Sequence, residues 1–154
     1  MTITMRPAER RDLPALIALY RDDALGRLRE SDDPADDDAY EQGFDRVAAD
    51  PSTCIYVAER GGDIVGTFQL TITPGLSRRG MVRATIEAVR TRADLRGRGV
   101  GARMMEHALH EARRRGADVA QLTSDLSRSD AHRFYERLGF SRSHAGFKRS
   151  LTSP

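Results

Sequence analysis

Arg96-Gly97-Arg98-Gly99-Val100-Gly101 is the stretch on which the reading of this 154-residue chain turns. Three glycines at alternate positions let the backbone take tight dihedrals and let a ligand approach it closely. Val100, Met104, Met105, Ala108, Leu109 and Ala112 then fall on one face of a helix that Gly116 closes. The first turn of such a helix presents unpaired N–H groups at the positive end of its dipole, and Arg96 and Arg98 add charge. The stretch therefore reads as an anion cradle, or else as an ordinary strand-to-helix turn with exposed arginines. It does not fit a dinucleotide fingerprint: the third glycine comes one residue too early for Gly-x-Gly-x-x-Gly. The acid expected about 20 residues on would also need a second strand directly after this helix. Without Gly-Lys-Ser/Thr it is no P-loop either.

Upstream, Met81 to Thr91 reads as a strand. It is the hairpin partner of Ile64 to Thr73, whose apolar-polar alternation suits a half-exposed strand. Gly61-Gly62 is a turn and Cys54 to Ala58 a short β-prone run. Asp12 is placed to cap a helix beginning Leu13-Pro14, with Leu13, Leu16, Ile17 and Tyr20 on one face. A second helix starts near Asp36 to Asp38, presents Tyr40, Phe44 and Val47, and stops at Asp50-Pro51. Downstream, Val119 to Thr123 reads as a buried-type strand. Ala131, Phe134, Tyr135 and Leu138 mark a last helix ended by Gly139, and Phe140 to Arg149 reads as extended. The predicted order is β-α-α-β-β-β-α-β-α-β. With no repeat or linker in sight, residues 1–154 read as one α/β domain.

The formal charge of +2, with 39% hydrophobic and 31% charged residues, fits a soluble globular class. No apolar run approaches the ~18 residues of a membrane span, and the N-terminus lacks the apolar stretch of a signal peptide, so a cytoplasmic location is expected. Cys54, the single cysteine, excludes an intrachain disulfide and a Cys-built metal site. His107 and His110 are expected on a solvated helix surface, so no metal is implied. The small net charge conceals a segregation. Residues 30–50 carry nine acids against Arg46, and residues 78–115 carry eleven arginines against four acids. One stretch suits an anion and the other a cation.

Arg96, Gly99 and Gly101 satisfy the signature Arg/Gln-x-x-Gly-x-Gly/Ala. Further on, Ala131, Phe134, Tyr135, Gly139 and Phe140 satisfy Ala-x-x-Phe/Leu-Tyr-x-x-x-Gly-Phe. With both motifs in order, the chain resembles the GNAT superfamily, the GCN5-related N-acetyltransferases. Gln69 to Thr71, Pro74 to Arg78, Ile86 to Arg90 and Ser143 to Lys148 are similar to segments of small bacterial members. The resemblance implies the GNAT fold, a mixed and mostly antiparallel α/β sheet flanked by helices. It also implies acetyl-CoA as cosubstrate and a homodimer.

Carried over by position, the backbone of Val89, Arg90 and Thr91 pairs with the pantetheine amides. The loop from Arg96 through Gly97 to Ala102 holds the pyrophosphate, by the backbone N–H groups of Arg98, Gly99, Val100, Gly101 and Ala102 and by the Arg96 and Arg98 side chains. Tyr135 takes the family's tyrosine position as proton donor to the leaving sulfur. Glu87, two residues before Val89 and so on the same face of a regular strand, is the candidate base, or else a salt-bridge partner of a nearby arginine. Arg128 stands where many members carry Asn, so it contacts the cofactor differently or Ser127 and Ser129 share the task. Asp125, Asp130 and His132 read as capping and surface-pairing groups.

The implied activity is acetyl transfer from acetyl-CoA to a primary amine of a small molecule by direct attack in a ternary complex. A protein or peptide N-acetyltransferase and a non-catalytic acyl-CoA sensor or regulator are the alternatives. The family places the segment joining the first two helices over the acceptor; here that segment is the acidic block, which favours a cationic amine or else is a solvated loop and helix start. Arg78, Arg79 and Arg83 favour an acidic group on the substrate instead. Nucleic acid is disfavoured as a partner because residues 78–115 contain no aromatic residue for stacking.

Overall fold

The computed structural model describes residues 2–152. Strands β1 (Thr4–Pro7), β2 (Thr53–Arg60), β3 (Asp63–Thr73), β4 (Arg83–Thr91) and β5 (Val119–Leu122) form one sheet in sequence order. The first four are antiparallel to their neighbours, and β5 runs parallel to β4. Helices α1 (Leu13–Arg21), α2 (Ala24–Arg29) and α3 (Asp37–Ala49) precede β2. Helix α4 (Val100–Arg114) is the crossover between β4 and β5, and α5 (Ser129–Arg137) follows β5.

The apolar periodicity of α4 is realised: Val100, Met104, Met105, Ala108 and Ala112 are buried against Tyr56, Val65, Phe68, Leu70, Ala84 and Ile86 of the sheet. Tyr56 stacks on Phe68 with centroids 5.0 Å apart. The opposite face carries α1 and α3. An apolar groove of about 250 Å³ runs there, bordered by Leu16, Tyr20, Tyr40, Phe44 and Gln69.

Four expectations change. Asp12 does not cap α1; its carboxylate accepts from Glu9 N at 2.8 Å and from both Arg6 Nη atoms at 2.7 and 3.0 Å. An additional short helix, α2, follows α1, capped by Asp23, whose carboxylate accepts from Gly26 N. Strand β5 is not buried: Val119 is 39% exposed, because β5 pairs on one edge only. Finally, the described residues hold no strand after α5; 141–152 are exposed, with Phe147 and Leu151 both more than nine-tenths accessible.

Two departures from regular sheet position the site. Parallel pairing of β4 with β5 extends only from Arg83↔Val119 to Ile86↔Leu122, whereas β4 continues to Thr91. The 87–91 edge is thus left without a strand partner on that side. On the other side, Gln69↔Glu87 and Thr67↔Arg90 are both in register, so Ala88 and Val89 together oppose Phe68. This is a β-bulge, with Ala88 in the left-handed region at φ 50°.

Candidate active site

The open edge of β4 borders a groove of about 360 Å³. Val89, Arg90, Thr91 and Arg96 line one wall, and residues 127–131, leading into α5, line the other, with Asp23 above. Five of the residues expected to hold a cofactor, Val89, Arg90, Thr91, Arg96 and Arg128, therefore meet at one groove.

The glycine-rich turn stands beside it. Gly97 and Gly99 have φ of 73° and 84°, the conformation for which glycine is suited, and Gly99 is the N-cap of α4. The first-turn N–H groups of α4, Val100 to Ala102, have no carbonyl of their own helix to reach. Arg98 differs from expectation, because its N–H donates to Leu95 O at 3.3 Å. Gly101 serves another purpose: a Cβ there would lie 3.2 Å from Phe134 Cζ and 3.7 Å from Thr91 Oγ1. Its lack of a side chain brings the two motifs together, since it lets α5 close on the turn. Arg96 donates to Thr91 O at 3.2 Å and to Asp22 O at 2.9 Å, which ties the α1–α2 connection to the mouth of the groove.

Tyr135 packs edge-on against Phe134 and Phe140 with centroids 5.1 and 6.0 Å away. Burial raises its pKa, opposed by the positive charges of Arg90 and Arg128. Its phenol is thus protonated at neutral pH.

Glu87 is exposed. The expectation that Glu87 and Val89 share a face fails because the bulge inserts a residue between them. Directly opposed residues of an antiparallel pair share a face. Glu87 therefore lies with Gln69, and Arg90 with Thr67. Gln69 and Thr67 are two apart on β3, so Glu87 and Arg90 occupy one face, that of α1 and α3. The residue sharing Glu87's face is Arg90.

Arg128 Nη1 pairs with Asp23 Oδ2 at 2.7 Å. Arg90 Nη1 donates to the carbonyl of Val89 at 2.9 Å. Burial and the neighbouring Arg128 lower the pKa of Arg90.

Other expectations are redistributed. Part of the acidic segment is neutralised: Arg10 pairs with Glu41 and Asp45 and Arg21 with Asp32, while Tyr40 donates to Glu30. Arg78 and Arg79 sit exposed in a left-handed turn and border neither groove. Asp125 accepts from Ser127 and pairs with Arg29, which holds its carboxyl at about 2, and His132 bonds Asp125 O, the capping and pairing roles expected. His107 is not on a solvated face; it packs edge-on against Tyr56 and Phe68. Among the described residues no three or more His, Cys, Asp or Glu converge as a metal site.

A mostly antiparallel sheet opened between its fourth and fifth strands, with an anion-cradling turn at the opening, is the architecture of an acyltransferase fold built around an extended cofactor. The family model for the Acetyltransferase (GNAT) family matches residues 13–140, and the chain belongs to that family, whose members bind acetyl-CoA. An aminoalkylphosphonate N-acetyltransferase of Salmonella typhimurium (strain LT2) is 33% identical over 113 residues, 73% of each chain. Among solved structures, a protein of Bacillus halodurans C-125 described as a transcriptional regulator is 41% identical with TM-score 0.93, covering 97% of this chain and 100% of that one. A proposed acetyltransferase of Agrobacterium tumefaciens str. C58 is 30% identical with TM-score 0.81, covering 96% and 99%.

Proposed function

We propose that residues 1–154 form one N-acetyltransferase domain that moves the acetyl group of acetyl-CoA to a primary amine of a small molecule, by direct attack in a ternary complex. The observation that carries this reading is the unpaired 87–91 edge of β4 with the glycine-rich turn at its end. The strand edge at Val89, Arg90 and Thr91 suits the pantetheine amides, as an added strand would, with the Arg90 and Arg96 side chains that cover the Val89 and Thr91 carbonyls giving way to the cofactor. The first turn of α4, with Arg96 and Arg98 and the open loop at Gly97 and Gly99, suits a pyrophosphate without a metal. Arg128 borders the same groove. The Salmonella relative, an enzyme of aminoalkylphosphonates by its description, supports a small acceptor over a protein one.

Acetyl-CoA supplies the thioester. Glu87, exposed and beside the open edge, takes the ammonium proton directly or through a water. The amine nitrogen attacks the thioester carbonyl, Tyr135 gives its phenolic proton to the departing sulfur as the C–S bond breaks, and the second proton shed by the new amide nitrogen restores the phenol. The elevated pKa of Tyr135 supports that role, because an acid must hold its proton until the thiolate leaves. The working form is read as a cytoplasmic homodimer.

Release of free CoA thiol, followed across polyamines, aminoglycosides, amino acids, aminoalkylphosphonates and peptides, tests the activity. Tyr135→Phe should lower kcat by about 100-fold or more with acetyl-CoA affinity retained. An unchanged kcat removes Tyr135 as the acid. Tight acetyl-CoA binding with no turnover of any amine would replace the enzyme by an acyl-CoA sensor.

A further inference from the structure

Two guanidinium groups in the groove are only half satisfied. Arg90 Nη1 has the Val89 carbonyl, but Arg90 Nε is buried with no partner; Arg128 Nη1 has Asp23, but Arg128 Nη2 is buried with no partner. A charged donor withdrawn from water and left unbonded is costly. Here two such donors lie close enough for the charge of one to depress the pKa of the other. Their negative neighbours offset part of the charge but bond neither orphaned nitrogen. Asp23 pairs with Arg128 through Nη1 alone while also capping α2, and Glu30, which accepts from the Tyr40 hydroxyl, acts on Arg90 only through space. The local chemistry is that of a two-armed oxyanion receptor.

The position of this receptor indicates which anion it takes. The phosphates of the cofactor belong to the turn at Arg96–Ala102, beyond the end of β4, and the pantetheine arm and thioester along β4 carry no charge. The bulge at Ala88 sets Arg90 on the same face as Glu87, under α1 and beside Tyr20, whose phenol feels the charge of Arg90. An anion on that face arrives with the acceptor.

We propose that Arg90 and Arg128 together bind an oxyanion carried by the amine acceptor, so that short aliphatic amines bearing a phosphonate, phosphate or carboxylate are preferred over neutral or cationic amines. The assignment rests on the acetyltransferase reading for its catalytic consequence, but the receptor itself can be tested without turnover.

Two measurements test it. Methylphosphonate, which has no amine to acetylate, is titrated calorimetrically into the acetyl-CoA-loaded protein. Saturable binding is expected for the wild type and its loss in Arg90→Leu and in Arg128→Asn. Arg128→Lys, which keeps the charge without the planar fork, should retain intermediate affinity and guards against a folding defect in the Asn variant. In the second, kcat/KM is compared for 2-aminoethylphosphonate, β-alanine and ethanolamine. Each variant should lose about 10- to 100-fold more on the two anionic amines than on ethanolamine. Wild-type protein that does not bind methylphosphonate overturns the proposal. So do variants that lose acetyl-CoA affinity while keeping the wild-type ratio between amines, which would return both arginines to the cofactor. Methylphosphonate binding without turnover of any amine supports the receptor and rejects the enzyme.

Discussion

Asp12 shows how far one buried carboxylate depends on its partners. It is 5% exposed and accepts three hydrogen bonds, and those from Arg6 hold its pKa below the usual carboxylate range. Asp12→Ala removes two bonds from Arg6, which keeps Glu59, and the acceptor of Glu9 N, so thermal unfolding should show a loss of about 1–3 kcal/mol. Because the folded pKa is depressed, the stability Asp12 contributes is complete above its unfolded pKa of about 3.9 and disappears as pH falls through the folded value. His107 acts earlier on the acid side. Burial lowers its pKa, and Nε2 is buried without a partner, so the unfolded chain binds the proton more readily. Melting temperature should therefore decline as pH drops below about 6.5, and His107→Leu should flatten that decline. The motif residues were legible because their chemistry depends on type and spacing: glycines where φ is positive, a tyrosine on the inner side of α5. The positions of Glu87 and Arg90 were not, since face assignment by alternation presumes a regular strand, and nothing in Ala88 announces a bulge.

At the level of elements, the long periodic segments could be read from the chain: α1, α3, α4, α5 and the β3–β4 hairpin all fall close to their expected bounds. Helix α2 was missed because six residues give too short a pattern to show a period. The exposure of β5 was missed because an apolar run looks alike at the centre and at the edge of a sheet. The packing of β3 on α4 depends on Gly66, whose added Cβ would lie 2.7 Å from Met104 Sδ and 3.0 Å from Arg90 O. Gly66→Ala should push α4 from the sheet and cost about 1–3 kcal/mol, measured by urea denaturation. It should also weaken acetyl-CoA binding, because the carbonyl it displaces belongs to the strand proposed to hold the pantetheine. Gly62→Ala, with open space around its Cβ but φ of 90°, should cost about 1 kcal/mol and leave acetyl-CoA binding untouched.

For the molecule as a whole, charge is arranged rather than merely balanced. Arg96 and Arg98 of the arginine-rich stretch stand at the proposed phosphate site, while Asp32, Glu41 and Asp45 of the acidic stretch are bound to arginines of α1 and its approach. Affinity for acetyl-CoA should accordingly weaken severalfold as ionic strength rises from about 0.05 to 0.5 M, measured by calorimetry, since exposed Arg96 and Arg98 are screened over about 10 Å at 0.1 M. The bulge reaches beyond the single chain. A strand's two faces trade places whenever one residue is gained or lost, so an insertion or deletion at Ala88 exchanges which side chains of β4 meet the acceptor while every motif stays intact. Acceptor preference within such a fold can therefore diverge by a change in length as readily as by substitution, and two chains with matching signatures can present opposite residues to the amine.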